Sequence, residues 1–500
     1  MSKLSSVYFP DVRRFDSLSD VFVWQRQTFC EDGSWYNGPT ENAMIVSPYV
    51  KMKLGGLFVP VYAARAAFST HSFAYAEVEG EGAFSIPVEL ILSQKRNRVV
   101  VLPESTGIKA EIIGDNNVRA VIDKTGSFTF VFDHGVESAV TLVVRRKRGL
   151  QIPDGAAVKS FLPGQYTAEE TNFTDENTVY YFKRGIYHLD CVTVPSDSIV
   201  YFEEGSVIRV YGATTRSLFR AQPNAKNITV CGRAVIDASA LESGAQQTFN
   251  FCGVDGVTVS DLTVVNSCSW TVCFTNCHRV TIHDLVLLSY RIFSDGIMLS
   301  DCTDSLVEDC FIRTGDDAAE CKSTGNGSTR TDNVVFRNIA AWADKGACYG
   351  IVFEENYDTQ NVTFENCSVG FSLPNWSDHL GCITVYCGNN PNAVDHHIYF
   401  RDIEIYCTYC ASAAFVAFEG NMRDICVDGM KTRYNYHEAP VFLWVRDAEK
   451  ASIGDLYLSD ITVGKQKLIS CDQSDLVTIR IPDEAGFVPG EKIHINEAKN

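Results

Sequence analysis

The sequence predicts an all-β chain, a long solenoid of short stacked strands preceded by an antiparallel β-sandwich. Two patterns carry that prediction: a strand repeat that runs on from about residue 220, and a different, unrepeated alternation in the first 150 or so residues. A third observation narrows it. The repeat unit is 23 to 36 residues long and holds only short strands, with no room for a crossover helix, which suits a solenoid coil rather than a βαβ unit.

The N-terminal runs come first. VFVWQRQTF (21–29), NAMIVSPYVKMKL (42–54), LFVPVYAARAAF (57–68), VELILSQ (88–94), NRVVVLP (97–103), FTFVFD (128–133) and VTLVVRRK (140–147) alternate and are separated by Gly, Asn and Asp turns. Period-two alternation between turn signals is the pattern of an antiparallel sandwich, assigned to residues 1–160. The polar, turn-rich stretch 148–175 reads as a junction, and 180–213 as the opening coil or cap of a solenoid that takes residues 161–500.

The repeat proper is seen by aligning VTVSDLTV (257–264), VTIHDLVL (280–287), SLVEDCFI (305–312), VVFRNIAA (334–341), VTFENCSV (362–369) and IYFRDIEI (398–405). Each has Asp or Asn at its fifth place, at Asp261, Asp284, Asp309, Asn338, Asn366 and Asp402, with intervals of 23, 25, 29, 28 and 36 residues. Each copy reads as a strand, a bend at the polar fifth place and a second strand. Stacked coils put matching strands about 4.8 Å apart, so equivalent residues form ladders. Cys310 and Cys367 follow the fifth place, where other copies have Leu262, Leu285 and Ile339. These thiols are therefore expected on an inward apolar ladder, where small soft side chains fill a narrow core.

Charge and composition bound the function. With 43 Lys+Arg against 62 Asp+Glu the net charge is -19, which argues against gripping nucleic-acid backbones or anionic membranes and disfavours a polyanionic substrate. The N-terminus shows no apolar core of a secretory signal, and no stretch approaches the roughly 18 apolar residues of a membrane span. The expectation is a cytoplasmic protein whose 18 cysteines are thiols. Cys407-Thr-Tyr-Cys410 is a lone CxxC without a second pair, and no phosphate loop, zinc signature or nucleophile elbow occurs. No metal and no cofactor are predicted; a homo-oligomer is left open.

The chemistry is expected in residues 290–325, which hold Asp295 in Ser-Asp-Gly-Ile and Asp316-Asp317 in Thr-Gly-Asp-Asp. A separation of 21 or 22 residues is close to one coil, so the three carboxylates should share a face in neighbouring coils. Glycosidic cleavage needs an acid for the leaving oxygen and a base for water or a nucleophile, and carboxyl groups can serve as both. Crowded carboxylates cannot all ionise freely, so at least one should stay protonated near neutral pH. The same strings are also good turn chemistry, with Gly supplying positive φ.

SDGI followed by TGDDAAECKS resembles the paired signature of the polygalacturonase family, and the dextranase and isopullulanase family shares the three-Asp arrangement. The resemblance implies a right-handed parallel β-helix and hydrolysis with inversion; the dextranase family also carries a β-sandwich before its helix. It implies Asp316 as general acid, with Asp295 and Asp317 holding the attacking water. Two departures stand out. The Gly-His-Gly motif should fall near Ala347-Cys348-Tyr349-Gly350, where no His occurs, and the Arg-Ile-Lys motif near Gly381–Val385, where both basic residues are missing. Without that clamp a uronate has no obvious partner.

Around the carboxylates, Lys322, Tyr349, Glu354 and Glu355 are candidates for binding a sugar, and Trp376 and His379 for a stacking wall. The expected function is an inverting glycoside hydrolase on a neutral, α-linked oligo- or polysaccharide. The alternatives are a polygalacturonase-like pectin hydrolase, a β-helix polysaccharide lyase and a non-catalytic carbohydrate-binding solenoid.

Overall fold

The computed structural model describes residues 4–10, 12–15, 39–40, 44–67, 69–325, 330–373 and 379–496. The run expected at 21–29 and the candidate Trp376 lie outside these residues.

The N-terminal part forms two sheets over one core. The first orders 44–46, 62–66, 69–78, 135–146, 126–132 and 99–102, with 4–5 added beside 69–78; the second orders 57–59, 50–54, 86–92, 117–122 and 110–113. Met52, Leu90 and Val118 of the second sheet meet Ala74, Phe130 and Leu142 of the first in that core. One pairing departs from the antiparallel expectation: 69–78 and 135–146 run parallel. The chain between them passes through strands of both sheets, so 69–78 and 135–146 are not joined as a hairpin.

From Ala157 onward nearly every pairing is parallel, four residues before the expected start at 161. Each coil contributes to three ladders, for example 278–283, 286–288 and 297–300, followed by 303–308, 311–314 and 319–322. The fifth-place residues are the bends between the first and second ladders. Asp261, Asp284, Asp309, Asn338, Asn366 and Asp402 all have φ between 52° and 66°, the left-handed region that Asp and Asn tolerate best among residues with a Cβ. The next residue turns inward: Leu262, Leu285, Cys310, Ile339, Cys367 and Ile403 are all buried in one continuous core.

That core explains the cysteine content. The 17 described cysteines carry no disulfide, and most are buried. We expect a thiol reagent to titrate all 18 cysteines of the denatured protein; a shortfall of a pair would reveal a disulfide.

The two parts are joined along the outer face of the second ladder. Phe73 and Tyr75 of the first N-terminal sheet pack there with Val286, Leu288, Phe311 and Trp342. Buried charges cross the same boundary, where Arg233 reaches both Glu77 and Asp261 and Arg313 pairs with Asp344 beside His71. The N-terminal sheet thereby braces the coils just before the corner from which the third ladder starts.

Candidate active site

The acidic motifs lie at that corner. Asp295 stands two residues before strand 297–300 and Asp317 two residues before strand 319–322. Ile297 pairs with Ala319 and the Gly296 amide donates to Asp317 O at 2.8 Å, so Asp295 and Asp317 are stacked equivalents in adjacent coils. The one-coil spacing read from the sequence is a true ladder step.

The glycines of both motifs serve close packing rather than turn chemistry. Neither Gly296 nor Gly315 has a positive φ. A Cβ on Gly296 would come within 2.2 Å of Ala318 O, and one on Gly315 within 2.4 Å of Arg291 O. Gly346, one coil further, has the same constraint, since its Cβ would meet the Asp317 amide nitrogen at 2.4 Å. Here the backbones of three coils close around the carboxylates.

Asp295 and Asp317 are each 6% exposed. A third carboxylate, Glu320, joins them at 1% exposure, and oxygens of all three lie within 4.8 Å of one another. Asp316 is half-buried and stands outside that mutual set. Asp317 Oδ1 accepts the Ala347 amide at 2.6 Å, and Asp316 Oδ1 accepts the Asp317 amide at 3.2 Å. Asp295 Oδ2 and both Glu320 oxygens are buried and take no aligned hydrogen bond from the described residues. Lys322 Nζ approaches Glu320 Oε2 at 3.2 Å as an ion pair and donates to Glu354 Oε2 at 2.8 Å.

Burial is the main force on every protonation state here. It holds Asp295 well above the usual carboxylate range, helped by the charges of Asp316, Glu320 and Asp317. Asp317 is raised in the same way by burial, Glu320 and Asp316, against Lys322 and the Ala347 amide. Burial raises Asp316 too, opposed by backbone hydrogen bonds from Phe293 and Asp317 and by Lys345 and Lys322. Glu320 is pushed to about 7 by burial, with Lys322 opposing and Glu354 and Asp316 adding. For Lys322 burial works against the charge, but Glu320 and Glu354 outweigh it and raise its pKa, so the ammonium stays charged.

These shifts carry a stability prediction. A carboxyl whose folded pKa is raised binds its proton more tightly in the native state, so it stabilises below its unfolded pKa and that stability is lost as pH climbs through the folded value. For Glu320 the window runs from 4.5 to about 7. The thermal midpoint of the wild type is therefore expected to fall across that range, and Glu320→Gln to flatten part of the fall. An unchanged slope in the variant would show that Glu320 does not titrate there.

Of the other candidates, the structure brings Lys322 and Glu354 into the cluster and places two elsewhere. Tyr349 is fully buried in the core, its hydroxyl within hydrogen-bond reach of Ile339 O at 2.9 Å and Ser368 O at 2.7 Å; pairing with Ala319 puts it at an inward position, so it cannot line the site. Glu355 is also buried, accepting from the Ser323 amide at 2.8 Å and Thr359 Oγ1 at 3.1 Å, and it holds a turn rather than a sugar. Phe353 and Glu354 both have positive φ, which breaks the alternation and sends the two Glu side chains to different places. His379 is half-buried and packs on Trp444 at 4.0 Å between ring centroids.

Glu320 was missed by sequence reasoning. Its pairing with Met298 and Gly350 places it outward on the third ladder, where a polar residue reads as solvated. The three-carboxylate set would also suit a hard divalent cation through its oxygens, and Lys322 already supplies one positive charge beside it.

No protein-family model matches the chain, and no curated protein matches its sequence. Solved structures do match. The Dex49A dextranase from Penicillium minioluteum superposes with a TM-score of 0.66 at 11% identity, over 99% of this chain and 98% of that one. A family 28 exopolygalacturonase from Yersinia enterocolitica matches with a TM-score of 0.48 at 11% identity, over 82% of this chain and 96% of that one. The catalytic domain of a GH87 alpha-1,3-glucanase, as a D1069A variant in complex with nigerose, matches with a TM-score of 0.47 at 9% identity, over 92% of this chain and 87% of that one. The fold is a parallel β-helix.

Proposed function

We propose that the chain is an inverting glycoside hydrolase acting on a neutral, α-linked oligo- or polysaccharide. The observation that carries this is the division of the carboxylates: Asp295 and Asp317 stacked and buried in one tight set, with Asp316 half-buried beside them. Asp316 then protonates the leaving glycosidic oxygen. Asp295 and Asp317, like charges with oxygens within 4.8 Å of each other that cannot both ionise freely, share a proton and hold the attacking water with the remaining charge. Asp295 Oδ2, which takes no hydrogen bond from the described residues, is the acceptor for that water. Inversion needs acid and base roughly 6.5 to 9.5 Å apart, which suits an acid standing outside the tight set. The fold likeness to a dextranase and the Ser-Asp-Gly and Gly-Asp-Asp strings support the same reading. The right-handed sense of the coils and a β-sandwich domain ending near residue 160 belong to it, with the two sheets over one core as support.

Two alternatives lose ground on specific residues. A lyase needs a base for the proton α to a uronate carboxyl, and Lys322, a cation beside the carboxylates, is held charged by two of them. A pectin hydrolase needs cations for the uronate, and the position expected for them carries Thr384, buried and bonded to the Gly381 backbone. The test is a panel of neutral and acidic glycans read for new reducing ends and for the ultraviolet absorbance of an unsaturated uronate. Reducing ends from a neutral glycan alone are expected; unsaturated product, or cleavage of pectin only, would overturn the proposal.

A further inference from the structure

The turn that delivers Asp295 carries a residue that turn chemistry disfavours. The Ser294 amide donates to Arg291 O at 3.1 Å, closing a β-turn over 291–294, and its third residue, Phe293, has a φ of 65°. That is the φ a type II turn requires at this place, where Gly or Asn normally stands. A bulky side chain there is strained and persists only when its surroundings hold it.

The surroundings do hold it. Arg291 is fully buried and donates to Leu241 O at 2.7 Å and Ser239 O at 2.9 Å. Ser294 Oγ donates to Arg291 O at 2.5 Å and accepts the Gly315 amide at 3.2 Å, which ties the turn to the Gly-Asp-Asp loop of the next coil. Ile292 O accepts from Ser243 Oγ at 3.2 Å. The backbone is thus clamped on both sides, while Phe293 as a residue is 56% exposed. Core packing therefore does not explain why a ring occupies a glycine's position. The same residue's amide lies close enough to Asp316 to lower its pKa, and the Ser294–Gly315 bond fixes the base of the ring relative to that loop.

We propose that Phe293 is the sugar-stacking residue of this site, its ring receiving the apolar C–H face of a neutral pyranose and setting the glycosidic oxygen toward Asp316. This rests on the glycosidase reading. A neutral ring is the fitting occupant because the platform is uncharged and apolar. The strained turn presents the ring outward while its backbone stays beside the acid's loop, so positioning of substrate and of acid come from one turn.

Two substitutions separate ring from backbone. Phe293→Asn keeps a side chain that tolerates the left-handed region, and so the amide beside Asp316, but removes the platform; Phe293→Trp keeps a platform. On neutral α- and β-linked gluco-oligosaccharides, Phe293→Asn is expected to raise KM roughly tenfold, the scale of one aromatic contact. It should leave the alkaline limb of the pH profile in place and leave the thermal midpoint unchanged or higher, as strain is relieved. Phe293→Trp should stay near wild type in KM. A KM for Phe293→Asn within twofold of wild type would overturn the platform, as would a shifted pH limb with unchanged KM, which would assign the residue's role to its backbone alone. Calorimetric titration of the same oligosaccharides into wild type and Phe293→Asn separates this from the hydrolase reading. Tighter binding by wild type without turnover would retain the platform and discard hydrolysis, and binding by neither protein would discard both.

Discussion

Asp316→Asn is expected to cut turnover on the cognate glycan at least about 10²-fold, the usual contribution of a general acid, with the fold intact. The substitution removes the proton donor but keeps a side-chain oxygen that can accept the Asp317 amide now bonded at 3.2 Å, and Asp316 is half-buried rather than sealed in the core. Stability should therefore move little while kcat collapses. The pH profile carries a second signature. Burial raises the Asp316 pKa against the Phe293 and Asp317 amides, and an acid must be protonated to act. The wild type should thus lose kcat/KM as pH rises through that pKa, and this limb should be absent from the residual activity of the variant. Asp295→Asn and Asp317→Asn should be comparably inactive, and any pair of these changes barely worse than one, because groups that act as a unit are strongly non-additive. Turnover within a few-fold of wild type for Asp316→Asn would remove it from the acid's role.

The particular residues show what a sequence can and cannot tell about such a site. The bends after the first ladder were legible because Asp and Asn at a fixed place are a local signal for left-handed backbone. The bends within the first ladder were not, since equivalent places hold Arg279 and His397 as well as Asp304, Asn333 and Asn361, all at positive φ; there the stack imposes the conformation against propensity. Asp295 and Asp317 could be paired from spacing alone because Ile297 and Ala319 are in register without insertion. Tyr349 could not be placed, since facing inward or outward in a strand turns on a single residue of register. Glu320 was hidden for a deeper reason: burial of an outward position depends on what the neighbouring coils fold over it. An ion pair such as Lys322 with Glu354 spans 32 residues, and no local pattern announces it.

The second large effect is expected at Asp344, on the boundary with the N-terminal sheet. Arg313 and Asp344 are fully buried and joined by two hydrogen bonds, Nε to Oδ2 at 3.2 Å and Nη2 to Oδ1 at 3.1 Å. The N-terminal sheet completes the set: the Ala67 amide donates to Asp344 Oδ2 at 3.2 Å, and Arg313 donates to Ser69 Oγ at 3.2 Å and to His71 Nδ1 at 3.1 Å. Burial, then the charge of Arg313, lowers the His71 pKa and keeps the ring neutral. With Nδ1 accepting, the proton sits on Nε2, which donates to Thr141 Oγ1 at 2.7 Å. Removing the carboxylate by Asp344→Ala leaves the guanidinium buried without its counter-charge, a loss that typically costs about 3–5 kcal/mol. Activity should fall with stability, because Arg313 directly precedes Thr314-Gly315-Asp316-Asp317 and Asp344 precedes the loop whose Ala347 amide holds Asp317. Joint replacement, Arg313→Met with Asp344→Leu, removes both charges and should recover much of the stability. It should not recover full kcat, since the two loops lose their shared anchor. Denaturant midpoints with glycan turnover for the three proteins decide the matter: if Asp344→Ala unfolded at the wild-type midpoint, or the double variant regained full turnover, the N-terminal sheet would have no part in holding the carboxylates in place.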